Sequence, residues 1–271
     1  MNTDRLARTR CFLLDMDGTF YLGDRLLPGA LEFIDLLRRR RTAFLFLTNN
    51  SSRSRREYAD KLRRLGLDLP DEQIFTSGEA TARYLKKQSP GARLYVVGTP
   101  PLEAEFDAHG FQRVEDAPQF VVLGFDTTLT YAKLWKLCDF VRAGVPYIAT
   151  HPDINCPTDG GFMPDIGAMI RLVAASTGRE PDVVVGKPHP PMVEALTEKT
   201  GLPASAIAMV GDRLYTDIAL GKAGLTTVLV LSGETGRDDL TGSPFQPDYV
   251  MADLAELAAV LADLPCLEDS P

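Results

Sequence analysis

Two acidic residues, two positions apart, follow an apolar run near the start of the chain. The run is Cys11 to Leu14, and Asp15, Asp17 and Gly18 come after it. Its apolar residues do not alternate with polar ones, which indicates a strand covered on both faces of a parallel sheet. Close carboxylates repel each other unless a cation or a shared proton relieves them, so the pair predicts a divalent metal bound through oxygen, with Mg²⁺ as the expected ion. The alternative is an ordinary turn, in which Asp and Gly are also common.

A second apolar run, 43–47, ends at a polar cluster that begins with Thr48 and Asn49. A helix is expected to follow over about residues 54–65. Hydroxyls, amides and backbone N–H groups at the start of a helix can bind the oxygens of a phosphate. Ser and Asn are also favoured as helix N-caps, so capping is the alternative role for this cluster.

Two later apolar runs also end in residues that could do chemistry. Val183 to Val185 leads into Gly186 and Lys187, and 207–210 leads into Gly211 and Asp212, with Asp217 near the start of a short helix expected over about 216–222. Taken alone, Lys187 could be a surface lysine before a proline turn. Asp217 could likewise be an acid that favours a helix N-terminus.

These strand ends require a fold that brings them together. Strands and helices alternate along the chain, which predicts an α/β protein with a Rossmann-like parallel sheet. Further helices are expected over about 28–41, 78–87, 101–108, 130–143 and 191–200. Gly- and Pro-containing turns at 89–91 and 178–181 bracket a separate alternation of strands and helices. We therefore expect a core domain of residues 1–87 and 182–271, with an α/β cap domain, 88–181, inserted into it.

The carboxyl ends of parallel strands share one edge of a sheet, so the residues at these four strand ends can converge although they are far apart in the sequence. Carboxylates near a metal, a hydroxyl, an amide and an ammonium group match the needs of phosphoryl transfer. Those needs are charge compensation, positioning and an in-line nucleophile. The pattern therefore predicts an enzyme that acts on phosphate esters.

Composition limits the partners. The 271 residues are 45% hydrophobic and 24% charged, which is typical of a soluble globular protein. The net charge of −8 does not favour nucleic acid or an anionic membrane as a partner. No apolar run approaches the ~18 residues that a membrane helix needs, and the four cysteines show no C-x-x-C spacing. A cytoplasmic protein with reduced cysteines is expected.

The four motifs in this order resemble those of the haloacid dehalogenase (HAD) superfamily of phosphatases. The resemblance implies that Asp15 attacks phosphorus to form an aspartyl-phosphate, and that Asp17 protonates the leaving oxygen and then activates water. It further implies Mg²⁺ ligands from Asp15, the Asp17 carbonyl and Asp212, while Asp217 orients the lysine or the metal-bound waters. The same resemblance implies that the oxygens of the transferring phosphoryl group are bound by Thr48, the backbone amide of Asn49, and Lys187.

Two spacings narrow the branch of the superfamily. Thr48 follows Asp17 by 31 positions, too few for a cap inserted after the first motif, whereas 137 positions separate Asn50 from Lys187. This arrangement resembles subfamily IIA, the NagD-like or p-nitrophenylphosphatase family, with its C2a-type cap. The resemblance implies that Asp153, Asn155 and Met163 shape the pocket for the leaving group; a solvent-exposed loop is the alternative.

The expected activity is Mg²⁺-dependent hydrolysis of a small phosphorylated metabolite: a sugar phosphate, phosphoglycolate, a nucleotide, or the model ester p-nitrophenyl phosphate. Two alternatives stay open at this point, a dehalogenase and a regulatory or metabolite-binding protein that has kept the fold with little catalysis. Because relatives often pair through the cap, a homodimer is a further expectation.

Overall fold

The computed structural model describes residues 3–158 and 160–265. Strands in these ranges are β1 (Cys11–Leu14), β2 (Tyr21–Leu22), β3 (Arg25–Leu26), β4 (Ala43–Thr48), β5 (Ile74–Thr76), β6 (Arg93–Val97), β7 (Gln112–Arg113), β8 (Phe120–Leu123), β9 (Tyr147–Ala149), β10 (Asn155–Thr158), β11 (Gly161–Pro164), β12 (Val183–Val184), β13 (Ile207–Gly211), β14 (Thr226–Val230) and β15 (Tyr249–Met251). Helices are α1 (Asp4–Ala7), α2 (Ala30–Arg39), α3 (Arg55–Arg64), α4 (Ser77–Gln88), α5 (Pro100–Ala108), α6 (Tyr131–Arg142), α7 (Ile166–Thr177), α8 (Pro190–Thr200) and α9 (Leu254–Ala262). Within the described ranges, no helix combines the length and apolar character needed to cross a membrane.

The larger sheet has six strands in the order β15-β14-β13-β1-β4-β5. Strand β1 lies between β13 and β4 and runs parallel to both, with Leu14 opposite Val210 on one side and Phe46 on the other. Every residue of β1 and β13 is buried. The unbroken apolar runs of the sequence therefore mark central strands of a parallel sheet, as expected.

The smaller sheet has five parallel strands in the order β12-β9-β8-β6-β7. Its strands and the helices α6 and α7 contribute to one apolar cluster, which includes Tyr147, Val121, Leu137 and Ile170. A parallel sheet needs cover on its faces, and these helices supply part of it. Two parallel sheets with alternating helices confirm the expected α/β fold class.

Three local features differ from the sequence-based expectations. Residues 155–164, for which a solvent-exposed loop was the alternative interpretation, contain the antiparallel pair β10 and β11. Helix α7 was not expected, although Ile166, Ile170 and Val173 have helical spacing and are buried. The segment expected to form a helix over about 216–222 is a 3-10 helix, Ile218–Ala223, which ends at Gly224 in the left-handed conformation.

The chain packs into two compact units. Among the described residues, the first contains 3–47, 59–74 and 196–265, and the second contains 48–58, 75–158 and 160–195. Strand β4 begins in the first unit and ends in the second, and so does β5. The units are defined by packing alone, so the functional division into a core and a cap spanning 88–181 stays a prediction.

Candidate active site

The turn after β1 places Asp15 at the carboxyl end of a central strand. The backbone N–H of Asp15 donates to the carbonyl of Val210 at 2.9 Å, which continues the pairing of β1 with β13 past the last strand residue. Gly18 has a φ of +86°, and a Cβ there would overlap the carboxylate of Asp212. The turn therefore needs glycine at this position both for its backbone conformation and for the close approach of Asp212.

Asp212 directly follows β13 and is 2% exposed. One of its carboxylate oxygens accepts a hydrogen bond from the backbone N–H of Glu234 at 2.7 Å, and the hydroxyl of Thr19 donates to the other at 3.4 Å. Gly233 passes so close that a Cβ there would also overlap this carboxylate. These contacts fix the carboxylate in one position.

Three carboxylates come together in the first unit. Asp15, Asp212 and Asp217 each offer an oxygen, and these oxygens lie within 4.8 Å of one another. Burial, together with the neighbouring charge of Asp217, raises the pKa of Asp212 from 3.8 to about 7. Three close acidic groups, two of them buried, form a donor set that suits a hard divalent cation. This cluster is the candidate metal centre.

Of the other two acids expected near the metal, Asp217 lies in the carboxylate cluster and Asp17, within the described ranges, is not one of its three clustered carboxylates. One oxygen of Asp217 also accepts from the backbone N–H of Arg213 at 3.1 Å. Since the contact expected from Asp17 is through its backbone carbonyl, that ligand stays a prediction, as does the orienting role of Asp217.

In the second unit, the side chain of Asn49 holds the backbone of Lys187. Its amide NH₂ donates to the Lys187 carbonyl at 3.1 Å, and its amide oxygen accepts from the Lys187 N–H at 2.8 Å. The same NH₂ group donates to Asp153 at 3.1 Å. All three residues are buried. The side chain of Asn49 is therefore occupied in fixing Lys187, and the expected contact of its backbone amide with phosphate stays a prediction.

Thr48 is the last residue of β4 and is buried. Its hydroxyl oxygen accepts a hydrogen bond from the backbone N–H of Asn50 at 3.1 Å. A hydroxyl that accepts in this way still has a proton to donate. The hydroxyl therefore keeps a proton that it can donate to an anion, while the same contact organises the polar turn ahead of α3.

Gly186 lies where the second unit leaves no room for a side chain. Its N–H donates to the Thr150 carbonyl at 2.8 Å, which extends the pairing of β12 with β9. A Cβ at this position would lie 2.5 Å from the Cβ of His151 and 2.7 Å from the amide oxygen of Asn49. Because these neighbours are short and buried, they cannot move aside without displacing the backbone.

We expect Gly186→Ala to destabilise the protein by about 1–3 kcal/mol, the usual cost of overpacking a buried site. Because the added methyl group displaces Asn49, the binding of inorganic phosphate should also weaken, which is measured as a higher inhibition constant of phosphate. Urea unfolding provides the stability measurement. Gly161→Ala is the matched control, since open space surrounds a Cβ there and the change should stay below about 0.5 kcal/mol. Equal stability of the two variants would contradict the packing argument.

The three residues expected to shape the leaving-group pocket lie in different surroundings. Asp153 is buried and bonded to Asn49. Asn155 is exposed on β10, opposite Pro164, whereas Met163 on β11 packs against the apolar cluster of the smaller sheet. The structure thus brings Asp153 to the Asn49 and Lys187 pair, and places the other two on the β10–β11 hairpin. Their roles in substrate recognition stay predictions.

Ser77, His151 and Asp165 were given no site role from the sequence. The hydroxyl of Ser77 donates to the carbonyl of Asn49 in a short hydrogen bond. His151, Asp153 and Asp165 are buried and offer atoms within 4.8 Å of one another. A signal for Asp165 was present, because an Asp before the apolar helical spacing of 166–173 is a typical N-cap. His151 carries no comparable local signal.

Known proteins resemble this chain over nearly its whole length. An acid sugar phosphatase of Staphylococcus aureus is 37% identical over 258 residues, covering 94% of this chain and 99% of the relative. A solved 4-nitrophenylphosphatase of Thermotoga maritima has a TM-score of 0.92 and 50% identity, covering 95% of this chain and 99% of that one. A glycerol phosphate phosphatase of Mycobacterium tuberculosis, solved in complex with calcium, has a TM-score of 0.86 and 35% identity. The match covers 93% of this chain and 76% of that one.

Family models match both halves of the sequence. A model of haloacid dehalogenase-like hydrolases matches residues 12–112, and a HAD-hydrolase-like model matches residues 184–257. The first range includes Asp15 and Asn49, and the second includes Lys187 and Asp212. Phosphatases of this superfamily use a divalent metal, which agrees with the carboxylate cluster. The chain belongs to the haloacid dehalogenase superfamily, in its NagD-like branch, subfamily IIA.

Proposed function

We propose that this chain is a Mg²⁺-dependent phosphatase that hydrolyses small phosphate monoesters through an aspartyl-phosphate on Asp15. The observation that carries the proposal is the grouping of Asp15, Asp212 and Asp217 within 4.8 Å. Asp15 and Asp212 directly follow two adjacent, fully buried strands. Ligands of open α/β sheets bind beyond such strand ends. The proteins that resemble this chain over nearly its whole length are named as phosphatases.

In the first half of the proposed reaction, a carboxylate oxygen of Asp15 forms a bond to phosphorus as the bond from phosphorus to the ester oxygen breaks. Asp17 gives its proton to the leaving oxygen, so an alcohol departs. In the second half, Asp17 takes a proton from water as that water attacks phosphorus. The bond from Asp15 to phosphorus then breaks, which releases inorganic phosphate and returns both side chains to their starting state.

The remaining polar residues have proposed binding roles. Lys187 supplies a positive charge to the phosphoryl oxygens, while the Thr48 hydroxyl and the Asn49 backbone N–H donate hydrogen bonds to them. The hydrogen bonds from Asn49 to the Lys187 backbone support this assignment because they fix the base of the lysine side chain. Asp217 is proposed to orient the lysine or the waters on the metal.

The proposed ligands of Mg²⁺ are Asp15, the backbone carbonyl of Asp17, and Asp212. When bound, the ion supplies charge neutralisation for the phosphoryl group and for the crowded carboxylates. The raised pKa of Asp212 supports the assignment, since a buried carboxylate next to Asp217 gains most from a nearby cation.

The substrates we propose are phosphate esters of uncharged polyols, such as sugar and glycerol phosphates. Relatives named as an acid sugar phosphatase and a glycerol phosphate phosphatase support this class. The buried acids Asp153 and Asp165 add negative charge to the 151–165 segment, which does not favour a second anionic group on the substrate. Phosphoglycolate is therefore the informative comparison, because its leaving group carries a carboxylate.

We expect purified protein to lose hydrolysis of p-nitrophenyl phosphate on treatment with EDTA and to recover it when Mg²⁺ is added. A steady-state screen should give a kcat/KM for glycerol phosphate at least about tenfold above that for phosphoglycolate, equivalent to about 1.4 kcal/mol. Ca²⁺ and Mn²⁺ added in place of Mg²⁺ test which ion is preferred.

Different outcomes identify what fails. Activity that survives complete metal removal would contradict the role of Mg²⁺. Halide release from a haloacid, without hydrolysis of phosphate esters, would favour a dehalogenase instead. Tight phosphate-ester binding without turnover would favour a regulatory protein, and preference for phosphoglycolate would overturn the substrate class alone.

A further inference from the structure

His151 is fully buried in the second unit, and both of its ring nitrogens make polar contacts. Its Nε2 lies 3.0 Å from a carboxylate oxygen of Asp165. Its Nδ1 lies 3.1 Å from the hydroxyl of Thr150 and 3.4 Å from the hydroxyl of Ser77. A histidine placed in this way links distant segments of the chain through polar contacts, while its ring also packs against Phe125.

Asp165 is held at the start of helix α7. The same carboxylate oxygen accepts from the backbone N–H of Ile166 at 2.7 Å, and the residue is 3% exposed. A helix N-terminus stabilises a negative charge at this position. The Asp165 oxygen that accepts from Ile166 is also the one that lies against Nε2 of His151, so we assign the ring proton to Nε2, which donates it to Asp165. The hydrogen-bond partners thereby define the tautomer of the ring.

The other side of this network reaches the proposed phosphate-binding pair. The Ser77 hydroxyl donates its one proton to the carbonyl of Asn49. Its oxygen lies 3.4 Å from Nδ1 of His151, which carries no proton in this tautomer, so the ring packs against Ser77 without sharing a hydrogen bond. Asn49 in turn holds both backbone groups of Lys187. His151 therefore stands between the start of α7 and the backbone of Asn49.

A second connection runs in parallel from the same helix end. The backbone N–H of Gly167 donates to the carbonyl of Asp153 at 2.7 Å, and the Asp153 carboxylate accepts from Asn49. A Cβ on Gly167 would overlap the Pro152 carbonyl, so the two segments pack without spare room. The start of α7 thus supports Asn49 by two routes. One runs from the backbone of Gly167 through Asp153, and the other runs from the side chain of Asp165 through His151.

We propose that His151 and Asp165 are positioning residues that hold Asn49, and through it Lys187, in the geometry that binds the phosphoryl group. The inference rests on the proposed function, which assigns phosphate binding to that pair. Removing His151 deprives the buried carboxylate of Asp165 and the hydroxyl of Thr150 of one hydrogen-bond partner each, and the network relaxes around them. A displacement of a fraction of an ångström at Asn49 is enough to weaken phosphate binding.

The test compares two replacements of His151 with a matched control. His151→Leu removes both polar contacts, whereas His151→Gln keeps an N–H donor that can reach Asp165. We expect His151→Leu to raise the KM for p-nitrophenyl phosphate and the inhibition constant of inorganic phosphate by about tenfold, the lower end of the usual effect of supporting residues. The Mg²⁺ activation constant should change less than about twofold, and His151→Gln should recover most of the loss.

The control is His109→Leu. His109 lies in the same unit and also contacts a carboxylate, with its Nε2 3.1 Å from Glu105 one helical turn away. It takes no part in the network around Asn49, so its replacement should leave all three constants unchanged. A merely structural effect of losing a histidine–carboxylate pair would appear in both leucine variants.

Asp165→Ser tests the same link if His151→Leu does not fold. Serine can still cap α7, but its side chain is too short to reach His151, so the KM and the phosphate inhibition constant should rise as in His151→Leu. Unchanged constants in either variant, an equal rise in the Mg²⁺ constant, or an equal effect of His109→Leu would overturn the inference. So would a divalent ion bound at the group of His151, Asp153 and Asp165. A wild-type protein without phosphatase activity would instead overturn the proposed function.

Discussion

Asp15→Asn is expected to lower kcat for p-nitrophenyl phosphate by at least about a thousandfold, the scale seen when a covalent nucleophile is removed. The neutral amide oxygen of asparagine is a poor nucleophile and a weaker ligand for a divalent cation. The protein should still fold, because the substitution removes one of three clustered carboxylates and so relieves their mutual repulsion. Steady-state kinetics and thermal unfolding in EDTA measure the two effects.

The control for this substitution is Asp24→Asn. Asp24 is an exposed residue of the turn between β2 and β3, so its replacement should leave kcat unchanged. A direct measurement is also available, since borohydride reduction of a quenched reaction converts an aspartyl-phosphate into homoserine, which peptide mass spectrometry can place at position 15. Full activity of Asp15→Asn, or modification at another residue, would remove Asp15 from the proposed role.

Asp212→Asn is expected to abolish activation by Mg²⁺ over the concentrations that saturate the wild-type protein. Asparagine keeps an oxygen that can accept from the N–H of Glu234, so the local fold should survive. It lacks the negative charge, and charge is the main reason that a hard cation prefers carboxylates. We expect the Mg²⁺ activation constant to rise by about a hundredfold or more.

The same variant changes how stability depends on pH. Burial and the charge of Asp217 raise the pKa of Asp212 from 3.8 to about 7 in the folded protein. Between these values the folded protein binds a proton that the unfolded chain does not, so stability from this group is complete below 3.8 and is lost as the pH rises through about 7. In EDTA, the melting temperature of the wild-type protein should therefore fall between pH 5 and pH 8 by more than that of Asp212→Asn.

Adding Mg²⁺ separates this effect from other titrations. The ion should stabilise the wild-type protein more at pH 8 than at pH 5, because protons compete with it for Asp212 at the lower pH. Asp212→Asn should lose most of this stabilisation, whereas Asp24→Asn should keep it. An unchanged Mg²⁺ titration in Asp212→Asn would exclude this residue as a ligand.

Local patterns were sufficient to predict the elements that carry the acids. The runs before Asp15 and Asp212 are apolar at every position and only four or five residues long, which is typical of a strand covered on both faces. The structure places both runs as adjacent central strands, with the acids directly after them. Helices α2 to α6 and α8 lie within about two residues of their expected bounds, because helical spacing and end signals are local properties.

By itself, the sequence determined the fold class, the strand ends that carry acids, the lysine, and the family. Only the tertiary structure decided that Asn49 uses its side chain on the backbone of Lys187, 138 positions away, and that His151 contacts Asp165 and Ser77. The difference has a physical reason. Strand and helix patterns reflect which residues within a short stretch of sequence are buried. These hydrogen bonds instead depend on which distant segments the folded sheet places side by side.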